Sequence, residues 1–217
     1  MINKKSSLRA WFKANLGFVV FVVVLCISRS SVADWYVVPT GSMKPTIVEG
    51  DRIFVNKMAY QLELPFTDIP IVKIANPERG DIVIINSIAA DTRLVKRVIG
   101  LPGDKIAMMN NQLVINGKVI HYLQSADPAL AIEQLPTKAH ALQWVGQNTS
   151  MDHFSTITVP EGQYLVLGDN RNNSADSRVY GFVPKAQIQG KALNVIVSLD
   201  ADNYYLPRAE RLLHQLI

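Results

Sequence analysis

The chain has 217 residues, 48% of them hydrophobic and 18% charged, with a formal net charge of +4. Beyond an apolar N-terminal stretch about 180 residues remain, enough for one domain or one domain with an insertion. Four of the basic residues, Lys4, Lys5, Arg9 and Lys13, precede the apolar run, and zinc-finger spacing, a Walker loop and a dinucleotide glycine fingerprint are absent. Charge therefore gives little support for nucleic-acid binding. The single cysteine, Cys26, excludes an intrachain disulfide and a cysteine metal cluster.

In chain order, residues 14–28 carry no charge, and Leu16 to Ile27 is nearly all Val, Phe and Leu. A spanning helix needs about 20 apolar residues. Lys13 and Arg29 can snorkel, and Trp11 and Trp35 can sit at the two interfaces, which extends the span. The basic residues before the run favour a cytoplasmic N-terminus. A cleaved signal peptide is the rival, with Ser31-Val32-Ala33 as its cleavage site and Arg29 as the residue that counts against it. Both readings export the rest.

The exported part reads as strand. Asp51 to Val55 and Asp81 to Ile85 are apolar runs opened by Gly-Asp turns, and Arg93 to Ile99 alternates imperfectly. Residues 113–115 and 118–120 flank Asn116-Gly117, the strongest hairpin signal in the chain. Tyr164 to Leu167 and Leu193 to Val197 add two strands. Many short strands between Gly/Pro/Asn/Asp turns predict a mostly antiparallel β body. Residues 121–160, turn-rich at 125–128, 135–137 and 147–150, read as an inserted lobe with strands of its own. Residues 61–78, with three prolines, read as a surface excursion, and Arg208 to Ile217 as a short amphipathic helix.

Three segments carry chemistry. In Pro39-Thr40-Gly41-Ser42-Met43-Lys44-Pro45-Thr46 the prolines restrict the backbone and Gly41 permits close approach just before Ser42. The Ser42 hydroxyl can point into a groove, its N–H toward a developing oxyanion, and Thr40 offers a second donor. A serine needs a base, and no histidine (121, 140, 153 or 214) lies in these segments. Lys96, flanked by Leu94-Val95 and Val98-Ile99, sits in a stretch able to desolvate an amine and lower its pKa. The run 168–178 is dense in side chains that bond their own backbone. Asp169, Asp176, Arg171 and Arg178 could pair there, and Ser174 is suited to hold an amine without charging it. Each segment alone also reads as an ordinary turn or a solvated strand.

Together the segments PTGSMKPTI (39–47), GDRIFVNKMAY (50–60), RGDIVI (79–84), LVKRVIGLPGD (94–104) and GDNRNNSADSRVYGFVP (168–184) resemble the type I signal peptidases, membrane-anchored Ser–Lys endopeptidases, over most of residues 36–200. The resemblance implies Ser42 as nucleophile, Lys96 as general base, Ser42 N–H and the Thr40 hydroxyl as oxyanion hole, Ser174 as the residue that positions the lysine, and Asp176 and Arg178 as supports. By motif position Tyr36, Val38, Ile47, Leu94 and Val95 are candidates for shallow pockets that select small residues. The expected architecture is a mostly β, antiparallel catalytic domain (31–104 and 166–200) with a β-rich inserted lobe (105–165). It is preceded by a cytoplasmic N-terminus (1–13) and one transmembrane anchor (14–30), and followed by a tail (201–217). The expected partners are membrane-bound preproteins and the lipid bilayer, with no nucleic acid, metal or cofactor, and the expected location is the extracytoplasmic face of the inner membrane. Many relatives carry serine at Thr40, some carry two N-terminal helices, and aspartate is frequent where Asn172 stands, so an ion pair made there is lost. Alternatives are a peptidase dedicated to a pilin or conjugation subunit, a self-cleaving Ser–Lys regulator, which would need a DNA-binding or partner segment and no anchor, and a non-enzymatic, anchored peptide-binding β-domain.

Overall fold

The structure is a computed structural model and describes residues 11–67, 69–144 and 151–216. The basic residues Lys4, Lys5 and Arg9 and the expected turn at 147–150 lie outside the described residues. In chain order the elements are helix α1 (Leu16–Ser31), then strands β1 (Ala33–Val37), β2 (Asp51–Asn56), β3 (Gln61–Glu63), β4 (Pro70–Lys73), β5 (Ile82–Ser87) and β6 (Thr92–Gly100). There follow β7 (Lys105–Met109), β8 (Gln112–Ile115), β9 (Lys118–Val119), β10 (His121–Gln124), β11 (Leu130–Gln134), β12 (Ala139–Gln143), β13 (Phe154–Thr158) and β14 (Gln163–Leu167). A single-turn helix α2 (Ser177–Tyr180) precedes β15 (Val183–Pro184), β16 (Ile188–Asp200) and β17 (Leu206–Pro207).

The protein is mostly antiparallel β. The main sheet has the order β1-β2-β16-β5-β6-β14-β15, with β17 beside β16. Its register follows side-chain alternation: Ile53 and Val55 on β2 and Ile82 and Ile84 on β5 enter one core cluster with Val38, Met43, Ile47 and Val195. Val83, Ile85 and Val98 enter a second cluster on the other face. A two-residue repeat thus sorts one apolar strand into two cores. Ile99, Leu165 and Leu167 carry the sheet into a third core with Ile106, Met108, Leu113 and Ile115. Much of that core comes from the four-stranded sheet β13-β7-β8-β9, and Tyr122 of the three-stranded sheet β10-β11-β12 packs against it.

The turn between β8 and β9 has Asn116 at φ 52° and Gly117 at φ 77°, the left-handed pair that a two-residue hairpin requires. Residues 61–78, expected as a surface excursion, contain the hairpin β3–β4, whose second strand is exposed. The tail differs from the expected helix. Among the described residues its only helical element is the 3-10 turn Ala209–Arg211, because its polar groups are spent on the sheet. Arg211 pairs with Asp51 at 2.5 Å, Val195 N–H donates to the His214 carbonyl at 2.8 Å, and Leu216 is buried in the first core.

Helix α1 covers 16 residues, about 24 Å at 1.5 Å per residue, against a hydrocarbon thickness of about 30 Å. Among the described residues no helix is long and apolar enough to cross a membrane. The side chains of Leu16, Phe18, Val20, Phe21 and Leu25 are all exposed. Its C-terminal end is tied to the β body: Lys57 Nζ donates to the Ser30 carbonyl, Phe66 N–H donates to Ser30 Oγ at 2.7 Å, and Arg29 pairs with Asp34 at 2.8 Å.

Candidate functional site

Ser42 follows β1 on a tight loop, in which Lys44 N–H donates to the Gly41 carbonyl at 3.1 Å. The loop is held from the other side of the molecule. Asn170 N–H donates to the Ser42 carbonyl at 3.1 Å, and Asn170 Nδ2 donates to the Gly41 carbonyl at 3.0 Å. These bonds fix the serine backbone from the 168–178 run, far away in sequence.

Lys96 lies on β6, the central strand between β5 and β14. Its Nζ is 2.7 Å from Ser42 Oγ and donates to the Val95 carbonyl at 3.1 Å. The residue is 2% exposed, and no carboxylate pairs with it among the described residues. Burial lowers its pKa to about 8, against the opposing pull of Asp176 and Asp169, with Arg178 lowering it further. Dryness therefore outweighs the nearby carboxylates, and the amine sits poised to exchange a proton near neutrality.

Gly168 closes the space behind the pair. A Cβ placed on it would meet Ser174 Oγ at 2.2 Å and the Ser42 carbonyl at 2.4 Å. Ser174 is 3% exposed, and its Oγ has no hydrogen-bond partner among the described residues. The structure brings Ser174 beside Gly168 without a bond from its hydroxyl to Lys96. Asp176 accepts from Gly168 N–H at 3.0 Å and from Arg178 Nε and Nη2 at 2.8 and 2.7 Å. Arg178 also donates to the Arg171 carbonyl at 2.7 Å. This fork-on-carboxylate pair pins the loop that carries Ser174. The Thr40 hydroxyl is exposed and makes no hydrogen bond among the described residues.

The apolar residues expected in pockets separate. Tyr36 and Val95 pack against the cluster that holds Val38 and Ile47. Leu94 packs instead against the second core, with Val83 and Ile85. Neighbouring residues on a strand face opposite ways, so Leu94 cannot share a pocket wall with Val95.

Sequence reasoning missed the buried polar network behind the site. Asp169 and Arg171 do not pair within their own loop. Asp169 takes a fork from Arg97, at 2.9 and 2.7 Å, and accepts from Thr46 Oγ1 at 2.5 Å. Burial would raise its carboxyl, but Arg97 holds it below the usual range. Arg171 pairs with Glu133 of β11 at 2.7 Å, and Tyr122 donates to the same carboxylate at 2.6 Å. His140 of β12 lies 3.3 Å from Glu133 and 3.6 Å from Asp169. Burial lowers its pKa to about 4, so it is neutral at pH 7. The partners in these pairs lie up to 123 residues apart, and no local spacing announces them.

Comparison with known proteins agrees with the geometry. The model of "Signal peptidase, peptidase S26" matches residues 8–197. Signal peptidase I of Pseudomonas aeruginosa is 33% identical, covering 91% of this chain and 75% of its own length. Signal peptidase I P of Bacillus subtilis subsp. natto is 38% identical, covering 88% and 89%. Signal peptidase I of Rickettsia bellii is 35% identical, covering 88% and 73%. The class is that of a serine endopeptidase. The chain belongs to the signal peptidase family, peptidase S26.

Proposed function

We propose that this chain removes signal peptides from exported preproteins at the membrane, with Ser42 as nucleophile and Lys96 as its base. One observation carries the assignment: a 2%-exposed amine stands 2.7 Å from a serine hydroxyl. The neutral Lys96 Nζ accepts the Ser42 proton as Oγ attacks the scissile carbonyl. The negative charge on the carbonyl oxygen falls to Ser42 N–H and the Thr40 hydroxyl. Protonated Lys96 then gives its proton to the leaving amine. A water deprotonated by the same amine frees the acyl chain and regenerates the serine. Ser174 offers a buried hydroxyl with unused hydrogen-bonding capacity beside Gly168, from where it would position the lysine, and Asp176 and Arg178 hold its loop.

The substrate lies as an added strand, with small residues at the first and third positions before the cut resting on Tyr36, Val38, Ile47 and Val95. Residues 14–30 anchor the chain in a single pass with the N-terminus cytoplasmic. The exposed apolar surface of α1 supports this, since such a surface needs a lipid or protein cover. The catalytic part, 31–104 with 166–200, and the lobe 105–165 stand on the extracytoplasmic side. Confinement to one surface raises the effective concentration of enzyme and substrate. The test is Ser42→Ala in the full chain, assayed on a preprotein in detergent. Cleavage is lost while circular dichroism is unchanged; cleavage at the parent rate would remove Ser42 from the mechanism.

A further inference from the structure

The loop that carries Ser42 is held from two sides. On one side it meets the network behind the strand of the base. Thr46 Oγ1 donates to Asp169 at 2.5 Å, and Asp169 takes the fork of Arg97, the residue beside Lys96 on β6. Asn170 ties the Gly41 and Ser42 carbonyls from the same run. On the other side packing is incomplete. Two cavities of about 540 and 610 Å³ border the loop there, one lined by Pro45 and Thr46, the other by Lys44, Val48, Glu49 and Gly50.

Where packing is missing, the tail supplies the bonds. Arg211 lines both cavities. Its Nη2 donates to the Thr46 carbonyl at 3.0 Å and to Asp51 Oδ2 at 2.5 Å, while Nε donates to Asp51 Oδ1 at 3.0 Å. Arg208 Nη1 donates to the Glu49 carbonyl at 3.1 Å. Asp51 is fully buried and opens β2, so the planar guanidinium is fixed to the main sheet as it reaches Thr46. Thr46 is thereby gripped at both ends, its carbonyl by the tail and its hydroxyl by the network of β6. Ile47 N–H donates to the Met43 carbonyl at 2.9 Å, which passes that grip to the residue after Ser42. Both arginines lie beyond residues 8–197, the part that the family model matches.

We infer that Arg211 is a positioning residue for the nucleophile: it fixes the Ser42 loop at the distance from β6 at which Oγ reaches the Lys96 amine. This rests on the proposed reaction and adds the tail to the parts which that reaction requires. None of the hydrogen bonds of the Arg211 side chain goes to the dyad or to the residues expected to meet the substrate. Its loss therefore leaves substrate binding in place and frees the attacking oxygen to drift. A misplacement of about 1 Å at a reacting centre costs up to about 10²-fold in rate.

The experiment compares full-length wild type with Arg211→Met and with Arg211→Met/Asp51→Asn, by melting temperature and by kcat and KM on a preprotein. The single variant leaves the buried Asp51 carboxylate without its cation and melts lower. The double variant carries no such charge and melts nearer to wild type. Both lose the hold on the Thr46 carbonyl. Both therefore lose about tenfold or more in kcat, with KM changed by less than about twofold, measured well below either melting temperature. Activity fails to return with stability. A purely structural arginine gives the opposite pattern, in which kcat recovers in the double variant as melting recovers. That recovery, or a failure of both variants to fold, overturns this inference and leaves the proposed reaction standing. No cleavage by wild type overturns both.

Discussion

Replacing Lys96 with methionine separates catalysis from stability. Burial lowers this amine from about 10.5 to about 8. That difference is worth about 3 kcal/mol at 1.36 kcal/mol per pKa unit, borne by the folded state whenever the amine is charged. The same shift raises the neutral fraction at pH 7 to about one in ten, from about one in 3000 for a free lysine. Below about pH 8 both folded and unfolded chains bind the proton, and the folded state carries the full cost. Between about 8 and 10.5 the unfolded chain holds more protons, so stability rises with pH, and above that the cost is gone. Lys96→Met removes a charge that the fold holds at a disadvantage, and loses contacts to Ser42 and the Val95 carbonyl worth about 1 kcal/mol. The variant is therefore inactive yet more stable than wild type by about 2 kcal/mol at pH 7, with the gain gone by about pH 10.5. Urea unfolding at the two pH values measures this, and wild-type kcat/KM against pH rises through an acid limb centred near 8. A limb near 6.5, where histidine titrates, or a Lys96→Met enzyme that still cleaves, would refute the reasoning.

Two further substitutions probe the surroundings. Thr40→Val keeps the shape of an exposed side chain but removes its hydroxyl. It should lower kcat by about 10²–10³ if that group holds the oxyanion, and an unchanged kcat removes Thr40 from that part. Gly168→Ala places a methyl within 2.2 Å of Ser174 Oγ and 2.4 Å of the Ser42 carbonyl. It should cost at least tenfold in kcat, because about 1 Å of misplacement matters at a reacting centre; full activity would show that the loop can shift without disturbing the pair.

The local rules of sequence read some features well. The 116–117 hairpin was legible because a left-handed turn demands Asn-Gly, and strands 51–56 and 82–87 because each is a short apolar run behind a Gly-Asp turn. Strands 105–109, 130–134 and 139–143 were not placed: each is five residues long, and the core that takes Ile106 and Met108 is completed only by Ile99, Leu165 and Leu167 from distant strands. Leu94 and Val95 looked equivalent as neighbours in one motif, and only the strand pleat separates them. The dyad was legible through the motif resemblance, but the reason Lys96 stays dry was not. It depends on 168–178 folding over Ser42, on Asp176 being held by Arg178, and on Asp169 reaching back to Arg97. The tail misled because amphipathic spacing cannot reveal that Arg211 is claimed by Asp51.

The most direct measurement is the site of covalent acylation. A penem added to the full chain, followed by peptide mapping by mass spectrometry, should place one adduct on Ser42 in wild type and none there in Lys96→Met, because the attacking hydroxyl must first lose its proton to that amine. An adduct on another residue, or equal labelling of Ser42 without Lys96, would contradict the account.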